Sequence, residues 1–228
     1  MKLKIPFLAT LLTCLSFTTS ALAGPPLLCH AFDIGDARSL PWISQSWNLS
    51  GAESYDTKNL AADTLSILDN DSTVLVHMET LRRAALFSQK DSVAAKQLLL
   101  KLIARSSSAT GSTAALANFD AGYFAATLDQ VHWINKDFAN PAQGMDAYAL
   151  IKICLSQRAN DPQLNFAAAL VTLDGPISDQ REYAQKAIVG APSDPLLARN
   201  LSTHFIGTQS ETMADMISRN SNTKVARQ

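Results

Sequence analysis

The amino-acid sequence predicts an all-α fold, built of stacked antiparallel helix pairs and entered through an irregular N-terminal arm. Three observations carry this. From residue 57 onward, apolar residues recur at the 3, 4, 7, 8 spacing of amphipathic helices. Short polar clusters interrupt that rhythm at intervals suited to helix–turn–helix units. Finally, Asp161-Pro162-Gln163-Leu164 recurs as Asp194-Pro195-Leu196-Leu197, 33 residues later. Alanine and leucine dominate the apolar share, and both are strong helix formers.

The first 23 residues read as a secretory signal peptide. Lys2 and Lys4 form a positive head, Ile5 to Phe17 is apolar, and Ala21-Leu22-Ala23 precedes Gly24-Pro25, which places cleavage after Ala23. The apolar run is too short for a bilayer core of ~30 Å. Leu11-Leu12-Thr13-Cys14 lacks the small residue that a lipidation site carries before its cysteine, and the A-x-A site is the better cleavage point. The expected location is therefore periplasmic or secreted, with no membrane insertion once the leader is removed.

The arm covers 24–56. Gly24-Pro25-Pro26 cannot open an ordinary helix, and Pro41 holds Leu40 extended. Phe32, Ile34, Trp42 and Cys29 are the residues expected to pin the arm onto the helices. Helices then follow over about 57–69, 72–88 and 92–105. Asn70-Asp71-Ser72 is expected to cap the second of these, and Val74, Met78, Leu81 and Ala85 to line its buried face. The run Ser106-Ser107-Ser108-Ala109-Thr110-Gly111-Ser112-Thr113 reads as an exposed loop. Phe119, Tyr123, Ala126, Gln130 and Ile134 trace the next helix, followed by helices over about 145–158, 162–173 and 178–190. The helical region is taken as 57–217 and the remaining 218–228 as a flexible tail.

Phe166-Ala167-Ala168-Ala169-Leu170, Tyr183-Ala184-Gln185-Lys186-Ala187-Ile188 and Ala191-Pro192-Ser193-Asp194-Pro195 together resemble a degenerate tetratricopeptide repeat, with small residues at the helix crossing and proline at the exit. The likeness covers about 161–205; the family's tryptophan and Leu-Gly pair are absent. The resemblance implies a TPR-like α-solenoid that binds peptides or proteins on a concave face, and it implies no catalytic residue. The start of the arm, from Cys29 to Ser39, resembles that of uncharacterised exported bacterial proteins, a likeness that implies no activity.

Two cysteines, Cys29 and Cys154, remain after the leader with its Cys14 is removed. In an exported chain such a pair reads first as a disulfide. The loop it would close is long enough for ~4–5 kcal/mol in the chain-entropy picture. The alternative is two separate buried thiols.

The formal net charge is −1 and no basic stripe occurs, which excludes a nucleic-acid binder on electrostatic grounds. Cys29-His30 with Asp33 and Asp36 is the one dense set of reactive side chains, but no metal-ligand or haem-attachment spacing accompanies it. Asp129 and His132 share a helix face beside Trp133 and are read as a local hydrogen bond. His77, Glu79, Arg82 and Arg83 are read as solvated ion pairs, with docking of an anionic peptide terminus on Arg82 and Arg83 as the functional alternative. Tyr123, Tyr148, Phe166 and Tyr183 fall on successive helices, where they either fill seams or form a peptide-binding strip. Three Asn-x-Ser triplets begin at Asn48, Asn70 and Asn200, and are silent in a bacterial source.

The expectation is thus an exported, non-enzymatic scaffold that binds another protein or peptide, with no cofactor, no metal and no catalytic residue. The rival is a small periplasmic enzyme using His30, Asp33 and Asp36 as acid–base groups. A metal carrier built on Cys29 and His30 is the third reading.

Overall fold

The computed structural model describes residues 24–42, 54–173 and 177–205. Among them are eight α-helices and no strand: α1 Leu60–Asn70, α2 Val74–Ser88, α3 Ser92–Ser108, α4 Ser112–Ile134, α5 Ala147–Gln157, α6 Pro162–Val171, α7 Ile177–Gly190 and α8 Pro195–Phe205. Short 3-10 turns precede α1 (Thr57–Asn59) and α8 (Ala191–Ser193). The leader, Trp47, Asn48 and the tail over 218–228 lie outside the described residues.

Side-chain capping explains the starts of α3, α5, α6 and α8. Asp91 accepts from the Ala94 N–H at 3.0 Å, and Asp146 from Ala149 at 2.8 Å. The repeated Asp-Pro marks are helix starts: Asp161 accepts from Gln163 and Leu164 at 3.0 and 3.1 Å, Asp194 accepts from Leu197 at 3.0 Å, and each proline opens its helix. Proline costs little there because its missing N–H would have no intrahelical partner.

Two local expectations are corrected. The serine run does not end α3 at residue 105. Ser107 Oγ donates to the Ile103 carbonyl and Ser108 Oγ to that of Arg105, so these hydroxyls bond back onto the helix and let it continue to Ser108. The loop shrinks to Ala109–Gly111. Nor does the Asn70–Ser72 cluster cap α2. Asp71 Oδ1 accepts from the N–H of Thr73, outside the helix, while the Leu75 N–H is taken by Gln163 Oε1 of α6 at 3.1 Å.

Gln163 also donates to Asp194 at 2.6 Å, so the N-termini of α2, α6 and α8 meet at one end of the molecule. At that same end α7 finishes. Gly190 lies so close to Pro162 that a Cβ at 190 would collide with the ring, which makes α6 and α7 antiparallel. The even-numbered helices also pack on one another, α2 on α4, α4 on α6 and α6 on α8, while α1 packs on α3. α2 additionally reaches α6, so contacts are not confined to adjacent pairs.

The core runs through this even-numbered layer. Every residue from Leu164 to Leu170 of α6 is buried, and the alanines at 167–169 let neighbouring helices approach closely. α2 is buried nearly all round rather than along the one face its pattern predicts, including His77, Glu79, Thr80 and Arg82. The N-terminal arm covers Glu79, Thr80 and Arg82, whereas His77 is met by Asp120 of α4.

Gly122 marks a close crossing between α4 and α5. A Cβ there would lie 2.8 Å from the Ala147 carbonyl oxygen and 2.9 Å from Leu150 Cβ. Backbone cannot move aside cheaply, so Gly122→Ala is expected to destabilise by roughly 1–3 kcal/mol, despite alanine's better helix propensity. A urea titration checks this; a stability gain would show that the crossing is looser than described.

Candidate binding face

The arm crosses all four even-numbered helices, and side chains on three of them hold its main chain. Gln130 Oε1 on α4 accepts from the Leu27 N–H at 2.8 Å. On α2, Arg82 donates to the Leu28 carbonyl at 3.0 Å, Glu79 accepts from the Phe32 N–H at 2.9 Å, and Arg83 donates to the Leu40 carbonyl at 2.5 Å. Asn200 on α8 closes on Asp33 from both sides: its Oδ1 accepts from the Asp33 N–H at 2.9 Å and its Nδ2 donates to the Asp33 carbonyl at 2.8 Å. These bonds satisfy main-chain groups that a non-helical segment would otherwise bury unpaired.

Apolar anchors sit between these polar ties. Leu27, Leu28 and Leu40 are fully buried, and Phe32 and Ile34 nearly so. The Phe32 ring lies parallel to that of His204 at 4.5 Å and edge-on to Phe166 at 6.1 Å. Trp42 packs on Phe87, with the guanidinium groups of Arg82 and Arg83 at 5.2 and 5.9 Å from its ring centre. The expected pins Phe32, Ile34 and Trp42 are used, but Leu27, Leu28 and Leu40, outside that expected set, are the most deeply buried, and Cys29 is only partly covered.

Glu79 is the hub. It is inaccessible to solvent and receives Arg82 through Nε at 2.8 Å and Nη2 at 3.0 Å, Arg83 through Nε at 2.6 Å, and the Phe32 N–H. The group read as solvated ion pairs is therefore buried. The two arginines do meet a peptide, but its carbonyl groups rather than an anionic terminus, and it belongs to this chain.

The remaining candidates are dispersed. Tyr123 and Phe166 are fully buried, whereas Tyr148 and Tyr183 share a hydrogen bond of 2.9 Å across α5 and α7, with Tyr148 donating to Asp179. The four aromatics form no continuous strip. Asp129 accepts from Asn140 at 2.6 Å and His132 meets the Phe138 carbonyl at 2.8 Å, so both tie down the α4–α5 loop instead of pairing with each other. Asn200, the start of one Asn-x-Ser triplet, is buried and engaged with the arm.

Cys29 and Cys154 are free thiols, in place of the expected disulfide. Cys29 sits in the arm's first turn, where its N–H bonds to the Pro25 carbonyl, and Cys154 faces the core from α5. Burial pushes both thiols up, Cys154 to about 12. Neither is therefore primed as a thiolate nucleophile near neutral pH.

His30, Asp33 and Asp36 do not converge on a common pocket. His30 lies edge-on to His204 at 5.3 Å between ring centres, Asp33 receives Arg199 at 2.5 Å, and Asp36 is exposed. Among the described residues, no group of three or more His, Cys, Asp or Glu side chains could hold a metal ion.

A second polar group escaped the sequence reading. Asp120 of α4 receives His77 Nδ1 at 2.6 Å and Arg105 Nη1 at 2.5 Å, and both Asp120 and His77 are fully buried. His77 Nε2 meets the Asp71 carbonyl at 2.8 Å, so both ring nitrogens face acceptors and the imidazolium form suits both. Burial is the largest influence and lowers the His77 pKa, as does Arg105, but the charge and hydrogen bond of Asp120 with the hydrogen bond to the Asp71 carbonyl outweigh them and the net shift is upward. Arg105, tied also to Asp69 at 2.8 Å, opens onto a cleft of about 720 Å³ bordered by Leu68, Gly111, Leu116 and Arg158. His77 and Asp120 do not line the cleft; fully buried and joined to Arg105, they serve as a latch between α2, α3 and α4.

His204 makes the arm's seat sensitive to acid. Burial drives its pKa down from 6.5 to about 4, with His30 and Arg82 adding to the effect against the Asn200 carbonyl. The unfolded chain therefore takes up a proton that the folded chain refuses. Stability is expected to fall as pH drops from about 6.5 towards 4, by about 3 kcal/mol for this group. His204→Phe should flatten that slope in urea titrations run across the window; an unchanged slope would assign it to other groups.

Comparison of the chain with protein-family models, curated proteins and solved structures finds no match.

Proposed function

We propose that the protein is an exported, non-enzymatic scaffold that binds another protein or peptide on the face formed by α2, α4, α6 and α8, in the manner of a TPR-like helical stack. One observation carries this reading: that face already holds a non-helical polypeptide segment through side-chain bonds to its main chain. Asn200, paired with both the N–H and the carbonyl of Asp33, is the clearest instance. Bonds to main chain supply affinity that is tolerant of sequence, and pockets for particular side chains supply specificity. The Leu-Leu and Phe32 seats are such pockets. The leader pattern over residues 1–23 supports export, and the helix-start period at Asp161 and Asp194 supports the repeat character.

The test is selection from a displayed peptide library against the mature protein. Enrichment of a recurring sequence that binds saturably supports a scaffold. Absence of any enriched binder, together with turnover of a substrate panel by the same preparation, overturns it.

A further inference from the structure

The arm is fastened as a ligand is, and this fastening defines what the face recognises. The main-chain bonds that Leu27, Leu28, Phe32, Asp33 and Leu40 make to the helices all end on side chains far away in sequence; the Asp33–Asn200 pair spans 167 positions. Among the described residues the arm's internal bonds are local turn bonds: main chain to main chain from Leu28 and Cys29 to Pro25 and from Ala37 to Ile34, and from the Gly35 N–H to Asp33 Oδ1. From residue 31 to 34 its backbone has no turn or helix, which is the conformation that an incoming peptide presents.

We infer that the face formed by α2, α4, α6 and α8 is a peptide site whose specificity is written in the arm. Its ligand in trans is a non-helical segment carrying two adjacent leucines and, four residues beyond the second, a phenylalanine followed by an aspartate. The arm is the competitor that such a ligand displaces. This rests on the scaffold reading above and adds the ligand class and the block.

Each feature of the pattern has a partner. The leucine pair fills the apolar seat beside Gln130 and Arg82, which bond the neighbouring main chain. The aromatic ring fills the slot between His204 and Phe166. A carboxylate one residue later meets Arg199, while Asn200 clamps that residue's own N–H and carbonyl. A β-branched residue has no ring with which to reproduce the parallel contact with His204, and a lysine at the acidic position would face Arg199.

Tethering gives the arm an effective concentration on the order of millimolar. Free peptide at micromolar concentration should therefore fail to compete in the wild-type chain and succeed once the tethered arm is weakened. The probe is a synthetic peptide of residues 24–42 with a dye at its C-terminal end, followed by fluorescence anisotropy against full-length mature protein under reducing conditions. Wild-type protein is expected to show no saturable binding below ~100 μM. Phe32→Ala in the protein should bind the wild-type peptide at least tenfold more tightly than wild type does. Adding Asn200→Ala to that protein should remove the gain by tenfold or more.

If the Phe32→Ala protein lacks a cooperative melt, a protease site placed within 43–53 provides the second route. After cutting, the wild-type arm stays bound and should exchange with labelled peptide. A folded Phe32→Ala protein that binds no better than wild type overturns the inference, as does a cut protein that unfolds when its arm is released. Library binders that survive Asn200→Ala would leave the scaffold standing with its site elsewhere, which separates the two failures.

Discussion

Replacing Glu79 by alanine is expected to cost about 3–5 kcal/mol, because it leaves two guanidinium groups without their buried carboxylate. The loss should be spent first on the arm. Arg82 and Arg83 would still point at the Leu28 and Leu40 carbonyls, but the N–H of Phe32 would lose its acceptor and the two cations would repel across the gap. Undocking lets both arginines reach water, so the free energy of arm docking sets an upper bound on the cost. Urea titration measures the total. Trp42 emission, with Trp42→Phe as the blank, reports whether the arm has left Phe87. A stability change below ~1 kcal/mol would mean that Glu79 and its arginines behave as ordinary surface pairs.

Asp120→Ala should cost a similar ~3–5 kcal/mol, by the same rule for a buried ion pair deprived of one partner, yet leave the arm seated. Asp120 joins His77 to Arg105, away from every bond the arm makes. The pH dependence identifies it. His77 has a folded pKa above its ordinary 6.5, so its contribution is complete below that value and is lost as pH rises through the folded one. Asp120→Ala should remove that alkaline decline. A paired replacement, His77→Phe with Asp120→Leu, should recover part of the loss, since apolar side chains of similar volume carry no desolvation cost there. Equal destabilisation in the single and paired variants would refute the latch.

Local signals and long-range ones differ sharply in how well the sequence shows them. Asp161-Pro162 and Asp194-Pro195 announce α6 and α8 because a capping carboxylate and an N1 proline act within one turn. The ends of α2 and α5 follow equally from nearby residues. The end of α3 did not, because a serine run breaks a helix only when its hydroxyls find partners outside it, and here Ser107 and Ser108 bond back. The burial of Glu79 was invisible for another reason. Glu79, Arg82 and Arg83 have the spacing of an exposed helix pair, and their environment is decided by an arm some 40–50 residues earlier. Asp120 was missed but had a signal: one carboxylate inside the apolar run Phe119 to Ala126, where a charge must be either exposed or paired. Asn200 offered none beyond its place in an amphipathic helix.

Amide hydrogen exchange, resolved by residue, tests most directly whether the arm is a bound segment rather than part of the core. In the wild-type protein the N–H groups of Leu27, Phe32 and Asp33 should be protected by Gln130, Glu79 and Asn200. In Glu79→Ala these three should lose protection together, while amides of α6 from Leu164 to Leu170 keep theirs. Simultaneous loss across the arm and α6 would contradict the account, because the arm would then be inseparable from the fold that is meant to bind it.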